Sequence, residues 1–297
     1  MKKFIFTALA MLALAFPFAS GASAQTKKVE EASGLLYKIS GKDLKKPSYL
    51  FGTIHIICPN DMFSMEKING YLDQTEQLVM ELDMDNPSEI QAMTAGMIMR
   101  DGKTLKDFLT AEEFTKVDEM FKTYMGMSVD ALKQIKPFAL SVMISTNPKA
   151  IGCSPGSYEA SLLKSATDKK KGVEGLETVS SQFAVFEKTP LEKQAKDLYK
   201  LALDPQKSFD NFKKLVEAYK SQNSDNLYSM MNAQMSENKA LQSSLLDDRN
   251  VDWIPKIERA IAGKSSFIAV GGGHLGGEKG VITLLRAKGY KIEAIKL

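Results

Sequence analysis

The sequence predicts an α/β fold of mixed α+β type: a mixed β-sheet core assembled from the N- and C-terminal segments, with a large helical insertion between them. Three observations carry this. Short runs rich in β-branched and aromatic residues lie near both ends, the middle switches to three- and four-residue apolar spacing, and the last stretch reads strand, helix, strand. At 297 residues, 44% hydrophobic and 25% charged, the chain has the length of one large domain and too much apolar content for general disorder.

Taken in order, residues 1–24 read as a signal peptide. Lys2 and Lys3 precede an apolar stretch from Phe4 to Phe18, and Ala22-Ser23-Ala24 offers small residues for cleavage near Ala24-Gln25. The run is shorter than the roughly 20 residues that span a bilayer, which argues against an uncleaved anchor. No later segment is apolar for long enough to span a membrane. The expected location is therefore periplasmic or secreted. Residues 25–33 are polar and read as a disordered tail, leaving 34–297 as a single domain.

Leu35 to Ile39 and Tyr49 to Ile56 are expected strands, separated by Gly41-Lys42-Asp43 and Pro47, and Gln77 to Leu82 is a third. The helical insertion covers about 87–146 and 190–262. In its first part Leu105, Phe108, Leu109, Phe114, Val117, Phe121 and Tyr124 fall at helical spacing, and Thr110 with Glu113 forms a capping box. Pro137 kinks or starts a further helix. Eleven of the 16 methionines lie between Met62 and Met143, where they serve either as core filler, the reading favoured here, or as an adaptable apolar groove. Asn147 to Gly156 reads as a loop, Ser157 to Lys169 as a helix and Gly172 to Leu176 as a strand. In the second part Phe209, Phe212, Leu215, Val216 and Tyr219 share one face, and Val251, Ile254, Ile257 and Ile261 another. Phe267 to Val270, Gly277 to Lys288 and Tyr290 to Lys296 then fit a parallel β-α-β crossover.

Charge excludes one class of partner. Lys plus Arg total 39 against 36 for Asp plus Glu, and removing Lys2 and Lys3 with an otherwise uncharged leader leaves 37 against 36. A nearly neutral chain without a basic block has no footprint for nucleic acid. A peptide or small-molecule ligand fits better. Export would place Cys58 and Cys153 in an oxidising compartment, where they either pair or remain as two free thiols; a bridge would close a loop of nearly 100 residues, worth about 4–5 kcal/mol by chain entropy.

The chain has only two histidines, His55 and His274, and both occupy one local pattern: an apolar strand, a glycine, two residues, then histidine. A glycine at a strand end permits close backbone approach and can aim the next side chain into a cleft. A lone histidine is more often a hydrogen-bonded core or surface residue, but the repetition favours one shared site. Paired imidazoles mostly bind a divalent metal, whose third ligand would be a carboxylate. Glu81 and Glu177, each at an expected strand end, are the candidates.

Three other patterns are weaker. Gly271-x-Gly273-x-x-Gly276 follows a strand like a dinucleotide fingerprint, yet only 21 residues remain after it. Gly263-Lys264-Ser265 lacks the glycine that a phosphate loop needs five positions earlier, where Glu258 stands. Gly152-Cys153-Ser154-Pro155-Gly156 matches a nucleophile elbow, but Asn147-Pro148-Lys149 precedes it instead of an apolar strand.

Phe51-Gly52-Thr53-Ile54-His55-Ile56, Val79 to Asp83, Gly175-Leu176-Glu177-Thr178 with Gln182, Arg249-Asn250 with Trp253, and Ala269 to Gly277 together resemble the TraB/GumN family, bacterial relatives of the Tiki metalloproteases. The resemblance covers about 34–296. It implies a pseudo-symmetric α/β core related to the haem-binding ChaN proteins and erythromycin esterases, with two facing Gly-x-x-His motifs. It further implies His55, His274 and Glu81 as metal ligands, Glu81 alternatively as general base, Glu177 as a second acidic group, and Arg249 as a clamp for a carboxylate or oxyanion. The implied activity is metal-dependent peptide hydrolysis, with Mn, Co or Zn as the ion. A non-catalytic role in binding haem or a signalling peptide is the alternative.

Overall fold

The computed structural model describes residues 33–234 and 239–297. The expected signal peptide, its expected cleavage site and nearly all of the expected tail lie outside the described residues. Ser33, the last residue of that tail, accepts a hydrogen bond from the Ser224 backbone.

Six strands form one sheet: β1 (Leu36–Ser40), β2 (Ser48–Thr53), β3 (Gln77–Leu82), β4 (Gly172–Glu177), β5 (Ser266–Gly271) and β6 (Lys291–Ile295), in the order β4-β3-β5-β2-β1-β6. All six stand where the apolar runs placed them. β1 pairs antiparallel with β2 and with β6, whereas β2, β5, β3 and β4 pair in parallel. The expected C-terminal crossover is therefore parallel in direction but spans two strands, because β2 and β1 lie between β5 and β6. β2 and β5 are buried along their whole length, as inner strands covered on both faces must be.

The helices needed here are α1 (Met65–Asp73), α2 (Pro87–Gly96), α3 (Ala111–Met125), α4 (Pro137–Ser145), α5 (Tyr158–Asp168), α6 (Val179–Glu187), α7 (Leu191–Leu203), α8 (Pro205–Lys220), α9 (Ser224–Gln234), α10 (Asp248–Gly263) and α11 (Val281–Ala287). The Thr110–Glu113 capping box starts α3, and Pro137 occupies the first turn of α4, where its missing N–H costs nothing. The stretch read as a loop holds a short helix, Pro148–Ile151. The last helix begins four residues later than expected, because Gly277 takes a left-handed φ of 84° and the chain turns around α9 first. Val251, assigned to the buried face of α10, is 52% exposed; Trp253 faces the core instead.

One apolar cluster surrounds the sheet and includes Phe51, Phe267, Ile268, Trp253 and Ile257. The insertion has its own cluster, with Leu105, Phe121, Leu140, Leu198 and Phe209. Met93, Met99 and Met120 are buried in such clusters, as core filler would be. Among the described residues no helix is long and apolar enough to cross a membrane. Cys58 and Cys153 are joined in a disulfide, Cα to Cα 5.9 Å.

Candidate functional site

Four adjacent parallel strands deliver the predicted residues to one end of the sheet. Thr53 is paired with Gly271, so the two Gly-x-x-His turns leave the sheet side by side, while β3 brings Glu81 and β4 ends on Glu177. The crevice beyond strand C-termini is where open α/β sheets bind ligands. Gly271 is required by proximity: a Cβ there would stand 3.3 Å from Glu81 Oε1, 3.3 Å from His55 Nε2 and 3.5 Å from His274 Cδ2. Its absence leaves a hollow that both imidazoles and one carboxylate face.

Each histidine is anchored through Nδ1. His55 donates from Nδ1 to Glu159 Oε1 at 2.7 Å, and Thr53 and Ser157 hydroxyls donate to the same carboxylate at 2.5 and 2.8 Å. His274 donates from Nδ1 to Asn250 Oδ1 at 2.7 Å. His55 Nε2 is thereby turned to the hollow, and His274 Nε2 to Arg249. An outer acceptor that fixes tautomer and ring orientation is the usual support of a metal-binding or proton-transferring imidazole.

The surroundings shift the two rings in opposite directions. Burial works against a charged His55, but the Glu159 carboxylate and, further off, Glu81 outweigh it and push its pKa up to about 9. Burial and the nearby Arg249 cation press His274 down to about 3, so it is neutral at ordinary pH. Its ring lies 4.4 Å from that of Trp253, whose Nε1 has no hydrogen-bond partner among the described residues.

Arg249, from the first turn of α10, joins the two acids. Its Nη2 donates to Glu81 Oε2 at 2.7 Å and also to Glu177 Oε1; Nε reaches Glu177 Oε1 at 3.0 Å, and Nη1 donates to His274 Nε2 at 3.2 Å and to Leu245 O at 3.0 Å. A π-helical turn, Ser243–Asp247, precedes α10 and supplies that Leu245 carbonyl. Gln182 bridges Glu81 at 3.2 Å and Glu177 at 2.8 Å. Burial raises Glu81, but Arg249, both imidazoles and the Gly271 N–H hold its carboxyl well below the usual range. In Glu177 burial wins over Arg249, and its pKa is raised.

The structure thus brings together His55, His274, Glu81, Glu177 and Arg249. It adds Glu159, Asn250, Gln182 and Trp253. Three of these stood in the family motifs without an assigned role. Glu159 gave no signal, because an acidic residue in the first turn of a helix reads as ordinary dipole compensation. The competing patterns fall away on physical grounds. Ser154 follows a helix and a turn rather than a strand. The Gly271–Gly277 loop is filled by α9: added Cβ atoms would collide with Met231 at Gly273, the Ser224 backbone at Gly276 and Tyr228 at Gly277, leaving no place for a pyrophosphate.

The donor types suit a divalent metal. Around the two imidazoles stand the carboxylates Glu81, Glu177 and Glu159, with Arg249 between Glu81 and Glu177. Among the described residues no three His, Cys, Asp or Glu side chains already stand in metal-holding positions, and Arg249 is the cation in contact with both Glu81 and His274. Closure around an ion would require the Arg249 hydrogen bond to His274 to open.

Fold and site define an α/β protein with a histidine, carboxylate and arginine centre at the C-terminal end of a largely parallel sheet. The sequence profile of the TraB/PrgY/gumN family matches residues 35–294, and the chain belongs to that family. No curated protein and no solved structure matches the chain.

Proposed function

We propose that the chain is an exported, metal-dependent hydrolase acting on peptides, with its reaction centre at the hollow in front of Gly271. The observation that carries this reading is the paired anchoring of the histidines: each Nδ1 is held at 2.7 Å by an outer acceptor, which turns His55 Nε2 to the hollow beside Glu81 and His274 Nε2 to Arg249 Nη1. His55, His274 and Glu81 would hold the ion. When bound, a divalent metal such as Mn, Co or Zn supplies an activated water at neutral pH and polarises a carbonyl.

The chain's own residues supply the rest. Glu177, the acid with the raised pKa, accepts and returns a proton at a carboxylate oxygen. Arg249 sets the position of that carboxylate through Nε and Nη2 and offers Nη1 to a developing oxyanion once it leaves His274. Glu159 holds the His55 ring. The disulfide and the apolar leader both support export.

A second reading, peptide binding without turnover, draws on a cavity of about 60 Å³ beside His55 that Met80, Met84 and Met93 line. A space of that size admits a side chain rather than a macrocycle, so it favours a peptide over haem.

Metal analysis of the purified protein decides between them. The ion is expected to be lost in His55→Ala, in His274→Ala and in Gly271→Ala, whose added methyl fills the hollow, together with hydrolysis of a peptide pool. Metal content unchanged in both histidine variants would overturn the shared centre.

A further inference from the structure

β4 is the last strand of the sheet and pairs only with β3 among the described residues. Gly172, Glu174 and Gly175 on it are exposed, so its outer edge presents backbone donors and acceptors to solvent. Beside it runs a groove of about 930 Å³ whose floor is β4, with α6 forming one wall and α10 the other. Six residues of strand make this edge about 20 Å long. A glutamate in the middle of an open edge, here Glu174, is a common guard against uncontrolled pairing with other chains.

The groove is lined by charged residues, among them Lys188 on the α6 wall bonded to the Ser244 hydroxyl, and leads to the site. At its Gly172 end stand Arg259 and Lys264, both exposed and neither in an ion pair among the described residues. Lys256, nearer the middle, is already neutralised by Asp252. At the other end the lining includes Asp248 and then Glu177 and Arg249, which belong to the candidate centre itself.

We infer that an extended peptide binds by adding a strand to the free edge of β4, with an acidic side chain at Arg259 and Lys264 and its far end delivered to Glu177 and Arg249. Main-chain hydrogen bonds to a sheet edge give affinity independent of sequence, and the charges at the two ends give direction. The acidic residue would lie about six positions from the bond presented to the centre, the length of β4. What happens to the peptide there rests on the hydrolase reading above; the docking does not.

The test uses the full-length, chelator-treated protein and three fluorescein-labelled octapeptides of alternating Thr and Val: one ending in two Asp, one with Lys in their place, and one acidic but N-methylated at alternate amides. The acidic peptide is expected to bind by anisotropy and to slow hydrogen exchange at the β4 amides. The Lys peptide and the N-methylated peptide are expected to bind at least about tenfold more weakly at low salt. Arg259→Glu with Lys264→Glu, both exposed and outside the centre, should weaken the acidic peptide by a similar factor while leaving the thermal midpoint unchanged. Binding without protection of β4, equal binding of the acidic and Lys peptides, or no binding at all would overturn the inference. Binding with β4 protection but no cleavage on adding Mn, Co or Zn would reject the hydrolase and keep the groove; cleavage without β4 protection would do the reverse.

Discussion

His55 donates Nδ1 to Glu159 at 2.7 Å across 104 positions of sequence, and the Cys58–Cys153 disulfide stands beside that contact together with a backbone bridge between Ile57 and Gly156. The strand that ends before His55 and the helix that begins before Glu159 are thus stapled to each other by a disulfide three residues beyond His55 and six before Glu159. A carboxylate and an imidazole meet in a part-buried space because two covalent and backbone constraints hold their segments together.

Glu159→Gln keeps the shape and removes the charge. The burial that opposes a charged His55 remains while its main attraction is lost, so the pKa of about 9 should fall by more than one unit. Ring-proton titration by NMR reads this directly, since the chain has only two histidines. An unchanged midpoint would show that Glu159 does not set the charge of His55.

Replacing both cysteines with serine should lower unfolding free energy by about 4 kcal/mol, for a bridge that spans 95 positions. It should also lower the His55 midpoint, because the Glu159 segment is no longer clamped. Denaturant unfolding and the same NMR titration check both effects. Loss of stability with an intact His55 midpoint would mean that the Ile57–Gly156 bridge is sufficient by itself.

The two histidines give opposite pH dependence. His55, with a folded pKa of about 9 against 6.5 for the free ring, contributes stability that is complete below 6.5 and is lost as pH rises through 9. His274, held near 3, contributes stability that is complete above 6.5 and is lost as pH falls toward 3. Glu81, whose carboxyl is depressed, steepens the acid side below its ordinary 4.5. Metal-free protein should therefore be most stable near pH 6–7, with each limb worth on the order of 2 kcal/mol. His55→Gln is expected to flatten the alkaline limb alone, and His274→Gln part of the acid limb, in urea unfolding between pH 4 and 9.

Arg249→Met leaves Glu81 and Glu177, whose side chains are 12% and 6% exposed, without the cation that joins them. Breaking a buried pair from one side costs about 3–5 kcal/mol. Adding Glu177→Gln should recover a substantial part, because one uncompensated charge disappears. If the double variant is no more stable than the single one, the clustered charges are not what Arg249 balances.

Much of the fold was legible in the sequence because it rests on local patterning. All six strands stand where short runs read as strands, most of them rich in apolar, β-branched or aromatic residues, and the Thr110–Glu113 box and Pro137 mark helix starts by their own backbone chemistry. The start of α11 was not legible, since the glycines before it are spaced by their packing against Leu227, Tyr228 and Met231 of α9, a non-local cause. Val251 fits the apolar spacing of α10 yet faces solvent, because the larger Trp253 takes the core position against His274.

For the site, the sequence alone determined that imidazole chemistry must use His55 and His274 and that matched glycine turns present them, since both facts need only composition and neighbours along the chain. Tertiary structure decided which acids they meet. Strand order, with β3 and β4 beside β5, brings Glu81 and Glu177 to one arginine, and a disulfide loop brings Glu159 to His55; hydrogen bonds act over about 3 Å in space, and no pattern along the chain records a distance that closes only when the sheet assembles.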